Sequence, residues 1–75
     1  FNPSTSINLH MPIMGYVNVA VYDLNGRVVQ TLLSGMQSEG DYSITWNATQ
    51  QSSGMYLIRA ETAGQTDVQK VLLLK

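Results

Sequence analysis

The chain has 75 residues, of which 44% are hydrophobic and 12% charged, and its formal net charge is −1. This composition is typical of a packed domain and excludes a disordered tail, although so short a chain builds only a small core. The scattered basic residues exclude a basic patch for nucleic acid or an anionic membrane surface, and the absence of cysteine excludes disulfides, thiolate metal sites and a cysteine nucleophile.

The first strand is predicted over Thr5 to Met11. The preceding Asn2-Pro3-Ser4 is a turn, because proline fixes φ and keeps the residue before it extended. From Ile7 to Met11 every second residue is apolar, a period of two that indicates one buried face. Pro12 ends this strand.

The next strand is the one around which the chain is organised. Val17, Val19 and Val21 alternate with other residues, so one face of this strand is predicted to be buried. It leads into the segment Asp23–Arg27 and then into a returning strand. Together the two strands should form a hairpin.

Asn25 and Gly26 tolerate positive φ, which a two-residue hairpin turn or a glycine bulge requires. Asp23 lies at the mouth of this turn, where its carboxylate is expected to accept hydrogen bonds from turn amides. The returning strand is predicted to begin at Arg27. It has apolar residues on both faces, which indicates that it is covered on each side or bends.

A polar loop around Met36 is predicted to separate this strand from the next. The remaining elements are a strand over Asp41–Trp46, a polar loop over Asn47–Gly54, a strand over Met55–Glu61, a turn at Ala63–Gln65 and a strand over Asp67–Leu74. No segment shows the spacing of an amphipathic helix. Short strands separated by turns favour a small β-sandwich or barrel, with a possible seventh strand within Asn47–Ser53.

The core is predicted from the inward positions of these strands. Tyr42, Ile44 and Trp46 share one face of the fourth strand, and a lone tryptophan most often anchors such a core. The predicted core residues are Val17, Val19, Val21, Ile44, Trp46 and Ile58.

The residues that could carry catalysis or bind a metal form no recognisable site. His10 is the only histidine and alternates outward on the first strand, so we expect a solvated side chain. No serine lies in a G-x-S-x-G setting, and no two carboxylates are expected to face each other across a cleft. Glu39 and Asp41 could contribute to a calcium site, but calcium takes six or more oxygens and turn capping is favoured. We therefore expect no enzyme activity, no cofactor and no metal.

The aromatic residues allow a second hypothesis, carbohydrate binding, because exposed aromatic planes stack on sugars. Trp46 and Tyr42 are expected in the core, which leaves Tyr16 and Tyr22 as the candidates for exposed rings. An accessory carbohydrate-binding module of a secreted glycosidase therefore stays an alternative. The Asn47-Ala48-Thr49 triplet matches the N-glycosylation pattern, but so short a signal is weak.

Taken together, the motifs resemble the type A C-terminal sorting domain of the bacterial type IX secretion system. The resemblance extends over nearly the whole chain, and its specificity comes from the order and spacing of the motifs. The matching segments are Asn2–Thr5, Val19–Val29, Gly40–Trp46, Ser53–Tyr56 and Lys70–Lys75. One departure is the Gln50–Ser53 loop, which lacks the Leu-Pro often placed before Ser-Gly in this family.

The resemblance implies an all-β fold, an immunoglobulin-like antiparallel sandwich of six to seven strands. It implies a single sorting domain over residues 1–75, excised from a larger protein and joined upstream to a cargo domain. Such a domain directs its cargo through the periplasm and across the outer membrane, to be secreted or held at the cell surface. The implied partners are the outer-membrane translocon and sorting proteins, with no nucleic acid and no small-molecule substrate. A related immunoglobulin-like domain of flagellar hook-capping proteins is the other alternative.

A signal without an active site must be recognised through its surface. The candidate recognition residues are Asp23, Asn25, Gly26, Arg27, Gly54, Tyr56, Lys70 and Lys75. If the last strand lies at the edge of a sheet, a translocon component could add a strand to it.

Overall fold

The computed structural model describes all 75 residues and contains six strands and no helix. The strands are β1 Ser4–Met11, β2 Gly15–Tyr22, β3 Val28–Gln37, β4 Gly40–Asn47, β5 Gly54–Thr62 and β6 Gln65–Leu73. Strands β1 and β4 form a two-stranded antiparallel sheet, and the other four form an antiparallel sheet in the order β3-β2-β5-β6. The predicted all-β sandwich is therefore confirmed.

The order of the strands is that of an immunoglobulin-like sandwich. The pairing of β1 with β4 corresponds to strands B and E of that fold, and β3-β2-β5-β6 corresponds to C′-C-F-G. No seventh strand lies between β4 and β5, where the chain forms turns instead. Of the six to seven strands predicted, the lower number is observed.

The core lies between the two sheets and consists of apolar side chains from both. All six predicted core residues are buried, and no polar or charged residue is buried with them. The others are Met11, Ala20, Ala48, Tyr56, Val71 and Leu73. Trp46 is fully enclosed, with the Phe1 ring centroid 5.6 Å and the Tyr56 ring centroid 5.1 Å from its own. The sandwich is therefore packed around the tryptophan.

The predicted loop around Met36 is wrong, because β3 continues through it to Gln37. Val17 pairs with Gly35 and Tyr16 with Met36, and only two residues separate β3 from β4. Gly35 has φ +125°, a conformation that glycine adopts without steric cost. The hydrogen bonds to β2 thus keep Ser34–Gln37 in a strand, although the turn-forming residues of this segment alone would predict a loop.

Of the two explanations for the apolar residues on both faces of β3, cover on each side or a bend, the structure favours the bend, because β3 contains a pair of β-bulges. The register with β2 shifts between Val19 and Ala20 and again between Val21 and Tyr22. Each shift adds a residue to β3 and reverses which face the following side chains occupy. As a result Val29, Leu32 and Leu33 all pack against the core although their spacing does not alternate.

The register places the connections at two opposite ends of the sandwich. The β2–β3 turn, the β4–β5 loop and both chain termini lie at one end, which we call the terminal end. The other three connections lie at the opposite end. The pairing of the strands thus brings together predicted recognition residues that are far apart in the sequence.

Candidate recognition surface

The turn that joins β2 to β3 is closed by the carboxylate of Asp23. Its Oδ1 accepts hydrogen bonds from the Asn25 amide at 2.9 Å and the Arg27 amide at 3.0 Å, as predicted. The Gly26 amide donates to the Asp23 carbonyl at 3.1 Å, and the Asp23 amide to the Arg27 carbonyl at 3.0 Å. The turn therefore has a fixed shape, with the side chains of Asn25 and Arg27 exposed.

Of the two turn geometries predicted here, the structure adopts the glycine bulge. Gly26 has φ +85°, and no residue other than glycine has positive φ. A two-residue type I′ turn would need positive φ at Asn25 as well. The four-residue turn ending in a left-handed glycine is the bulged form, so only Gly26 needs the freedom of glycine.

Lys75 holds the β4–β5 loop against the end of the chain. Its amide donates to the Ser53 Oγ at 3.0 Å, and its Nζ donates to the Thr49 carbonyl at 2.7 Å. The Asn47 side chain accepts a hydrogen bond from the Thr49 amide at 3.1 Å and so turns the start of this loop. The C-terminal lysine and the loop therefore form one continuous surface.

Tyr56 differs from the other candidate residues because its side chain is directed into the core. It is only 8% exposed, and its hydroxyl donates to the Ser52 carbonyl at 2.6 Å. A tyrosine near the start of strand F that bonds back to the preceding loop is a recurrent feature of immunoglobulin-like sandwiches. Its position supports a role in shaping the loop beside Gly54, beneath the surface that a partner would touch.

Lys70 lies on β6, the edge strand of the four-stranded sheet, opposite Leu57 of β5. Its side chain is exposed and belongs to neither of the two ion pairs in the molecule. Leu57 also pairs with Tyr22 of β2, the residue directly before the Asp23–Arg27 turn. The turn and β6 are thus two strands apart on one face.

The structure therefore brings most of the predicted residues to one place. The turn residues, Gly54 and Lys75 lie at the terminal end, and Lys70 lies on the outer face of the sheet next to it. Tyr56 is beneath this surface. Their part in recognition remains a prediction, and their common location supports it.

An apolar patch on the outer face of the four-stranded sheet escaped the sequence interpretation. Val28, Met55, Val68 and Leu72 are large, exposed, and lie on the face directed away from the core. Arg59 and Lys70 are interspersed among them. The sequence carries a signal for it, because β5 and β6 have apolar residues at both odd and even positions.

The only histidine pairs with a carboxylate on the two-stranded sheet. His10 is exposed, as predicted, and its Nδ1 lies 2.6 Å from the Asp41 carboxylate on the paired strand β4. No group of three or more histidine, aspartate or glutamate side chains is close enough to hold a metal ion. Asp41 therefore pairs with histidine across the sheet, and we assign no ligand to it.

The aromatic residues do not form a platform for a sugar. Trp46 is 0% exposed, so the core position predicted for it is confirmed. Tyr16 is exposed at the opposite end of the sandwich, where its hydroxyl lies 3.4 Å from the Ser34 Oγ. Tyr22 is only half exposed beside Val28. The two remaining tyrosines are thus on different parts of the sheet, and nothing favours the carbohydrate-binding alternative.

Comparison with known proteins identifies the family of the chain. The family model described as the secretion system C-terminal sorting domain matches residues 2–74. No curated protein and no solved structure matches the chain. The molecule offers no helical segment with the length and apolar character needed to cross a membrane. Because the match extends over almost every residue, the chain belongs to the secretion system C-terminal sorting domain family, the C-terminal sorting signals of type IX secretion.

Proposed function

We propose that the secretion machinery recognises this domain by adding a strand to the free edge of β6, which runs up to the terminal end. The observation that carries the proposal is the position of β6 at the edge of the four-stranded sheet. Strand addition to an open edge gains main-chain hydrogen bonds without requiring a pocket. The partner would be a translocon or sorting component at the outer membrane.

The backbone groups available for this pairing follow from the alternation of an antiparallel ladder. The Leu72 carbonyl and the Leu74 amide point away from β5, because both bond to Phe1. Residues two, four and six positions before Leu72 point the same way, so Lys70, Val68 and Thr66 present their amides and carbonyls outward. Within residues 1–75, the outward groups of Thr66, Val68 and Lys70 have no hydrogen-bond partner.

The side chains beside this edge would supply specificity. Val68 and Leu72 of the apolar patch project from β6 onto the outer face, with Lys70 between them. An added strand would bring its own side chains over this patch, since side chains of neighbouring strands on one face are in contact. The Asp23–Arg27 turn and Lys75 border the same end and would fix the direction of approach.

The cargo would be joined upstream of the domain and would pass through the periplasm before export. The domain itself would act by binding, without chemistry. This is supported by the residues present at the surface, where the two ion pairs, His10 with Asp41 and Arg59 with Glu61, lie on different sheets. The whole cargo-bearing protein would then reach the cell surface or the medium.

The first test removes two charges from the proposed surface. The double variant Lys70→Ala, Lys75→Ala should keep a melting temperature close to that of the wild type. Both side chains are exposed, as is the bond from the Lys75 Nζ to the Thr49 carbonyl, and exposed charges contribute within about 0.5 kcal/mol to stability. Export of a fused cargo should nevertheless fall, measured as the ratio of secreted to periplasmic cargo in a type IX-competent host.

A matched control removes an exposed charge at the opposite end. Glu39 lies in the short connection between β3 and β4, outside every ion pair. Glu39→Ala should leave both the melt and export unchanged. Export of the lysine variant at the wild-type level would exclude these charges from recognition, and equal loss in both variants would point to a general defect.

A further inference from the structure

The N-terminal residue is paired with the edge strand β6 as though it were a further strand. The Phe1 nitrogen donates to the Leu72 carbonyl at 2.9 Å, and the Leu74 amide donates to the Phe1 carbonyl at 2.9 Å. Two bonds that flank one residue in this way are the pattern of a parallel ladder. Phe1 therefore closes the outer edge of β6 beside Leu73.

The side chain of Phe1 anchors this pairing in the core. It is half-buried and packs against the buried cluster, with its ring tilted by 55° against Trp46. Two residues after Phe1, the Pro3 carbonyl accepts a hydrogen bond from the Ala48 amide at 2.8 Å, directly beyond the end of the β1–β4 ladder. Asn2, Pro3 and Ser4 are otherwise exposed. One aromatic ring and three backbone bonds thus hold residues 1–3, which we call the N-terminal strap.

The strap and the proposed partner would use adjoining parts of one edge. The free backbone groups of β6 extend from Thr66 to Lys70, and the strap begins at Leu72. By contrast, nine residue pairs join β5 to β6 on its other side. The strap is therefore the weakly held element at this edge, and its removal would lengthen the free edge to Leu74 and uncover one side of Trp46.

We propose that the position of Phe1 is a peptide-binding site, occupied in the free domain by the strap and taken over by an extended segment of the partner. The segment would run parallel to β6 and insert an aromatic or large aliphatic residue beside Trp46. This proposal rests on the proposed function, because the partner is the component that adds a strand to β6. The strap then keeps the site closed until a partner is present.

The test uses the sole tryptophan, Trp46, as a reporter. The probe is an acetylated peptide with the sequence of residues 1–6, titrated into the 75-residue domain and its Phe1→Ala variant. The variant keeps the backbone of the strap but lacks its anchor, so the probe should bind it at least tenfold more tightly than the wild type. Binding should restore the wild-type Trp46 emission and slow the hydrogen exchange of the Leu74 amide.

Two controls separate an anchored site from a general attraction. Asn2→Ala, which changes an exposed residue of the same strap, should bind the probe no better than the wild type. A probe with alanine in place of phenylalanine should lose at least tenfold in affinity for the Phe1→Ala variant. If Phe1→Ala lacks a cooperative melt, Phe1→Leu, which keeps an apolar anchor, takes its place and should show a smaller gain.

Absence of probe binding to a folded variant, or equal affinity for variant and wild type, would overturn this proposal. Both are measured on the isolated domain, without export. A loss of export on blocking the β6 edge would therefore uphold strand addition even if the probe fails to bind. Probe binding together with unimpaired export of an edge-blocked domain would uphold the peptide site and reject the proposed function.

Discussion

At Trp46 the two sheets meet around one side chain that is enclosed by Phe1 and Tyr56. Replacing it with alanine should cost about 3–5 kcal/mol, since the cavity adds to the lost burial energy. For a chain of this length that is most of the stability. We expect Trp46→Ala to be largely unfolded at room temperature and to show no cooperative thermal transition when heated, as monitored by circular dichroism.

A conservative change at the same site should be tolerated far better. The indole Nε1 of Trp46 is buried and has no hydrogen-bond partner. Trp46→Phe leaves a smaller cavity and removes this unpaired donor, whose burial is itself unfavourable. It should remain folded with a lower melting temperature. A wild-type melt in Trp46→Ala would contradict the structure, because only an exposed tryptophan could be removed without loss.

Gly26 should be the most sensitive residue of the β2–β3 turn. A Cβ at Gly26 would meet no atom within 4 Å, so a substitution there is strained by φ +85° alone. Gly26→Val should cost about 1–3 kcal/mol, the usual strain of a residue held in a sparsely populated region. Denaturant unfolding would measure this difference.

Gly15 offers the control, because its φ lies outside the positive region and an added Cβ would lie 3.9 Å from Met11, an ordinary contact. Gly15→Ala should therefore change stability little, and Gly26→Ala should already show part of the valine effect. Equal stability of the Gly26 variants and the wild type would mean that the turn has another conformation in solution.

Single residues were predictable from the sequence where their burial followed from alternation. Val17, Ile44 and Trp46 lie in regular strands, so the period of two was sufficient to place them in the core. Tyr56 was predicted only as a recognition residue. The structure shows that its ring is buried and that its hydroxyl bonds to the Ser52 carbonyl, so any part in recognition would be indirect.

Among the elements, β6 allows the direct test of strand addition. The amide of Val68 points outward, so proline there removes a potential donor to a partner without removing a bond to β5. The amide of Gln69 points toward β5, so proline at that position breaks the ladder. We expect Val68→Pro to fold and to lose export, and Gln69→Pro to be strongly destabilised.

The two proline variants also distinguish the ways in which the idea could fail. Folding is followed by thermal melts, and export by the ratio of secreted to periplasmic cargo. Val68→Ser removes the side chain but keeps the amide, so it separates loss of the apolar contact from loss of the backbone donor. Full export of a folded Val68→Pro domain would rule out pairing at this residue.

At the level of elements, the sequence was informative except where pairing overrides local preference. β3 was predicted to end at Leu33 because Ser34 and Gly35 are turn-forming residues. They are held in the strand by β2, a partner that local pattern cannot reveal. The two bulges are equally invisible, since each results from the match between two strands and not from either one alone.

For the whole molecule, the family assignment implies that the signal is transferable. Fusing residues 1–75 to the C-terminus of a foreign periplasmic protein should carry that protein out of the cell in a type IX-competent host. The expected readout is the passenger in the medium or at the surface, with none in a strain that lacks the translocon. A folded, uncleaved fusion that stays in the periplasm would reject transferability.

The overall fold was accessible from the sequence, and the site only in part. Strand number and core came from periodicity, and the sorting function from the order of motifs around Asp23, Gly54 and Lys70. The outer apolar patch needed the register of β5 and β6, because an exposed and a buried leucine look alike in a sequence. The pairing of Phe1 with β6 joins residues at opposite ends of the chain, a contact that no local pattern encodes.

That same pairing determines how a mechanical load would enter the domain. A pull from an upstream cargo arrives at Phe1, where the first bonds to be stretched are those to Leu72 and Leu74. Since both bonds run across the chain from one side of Phe1, a pull along the strand shears them together, whereas an outward pull opens them in succession. In either direction, the two bonds between Phe1 and β6 would break before the load reached the ladder of nine residue pairs between β5 and β6. The first structural response to being pulled would be the exposure of the tail's own final strand.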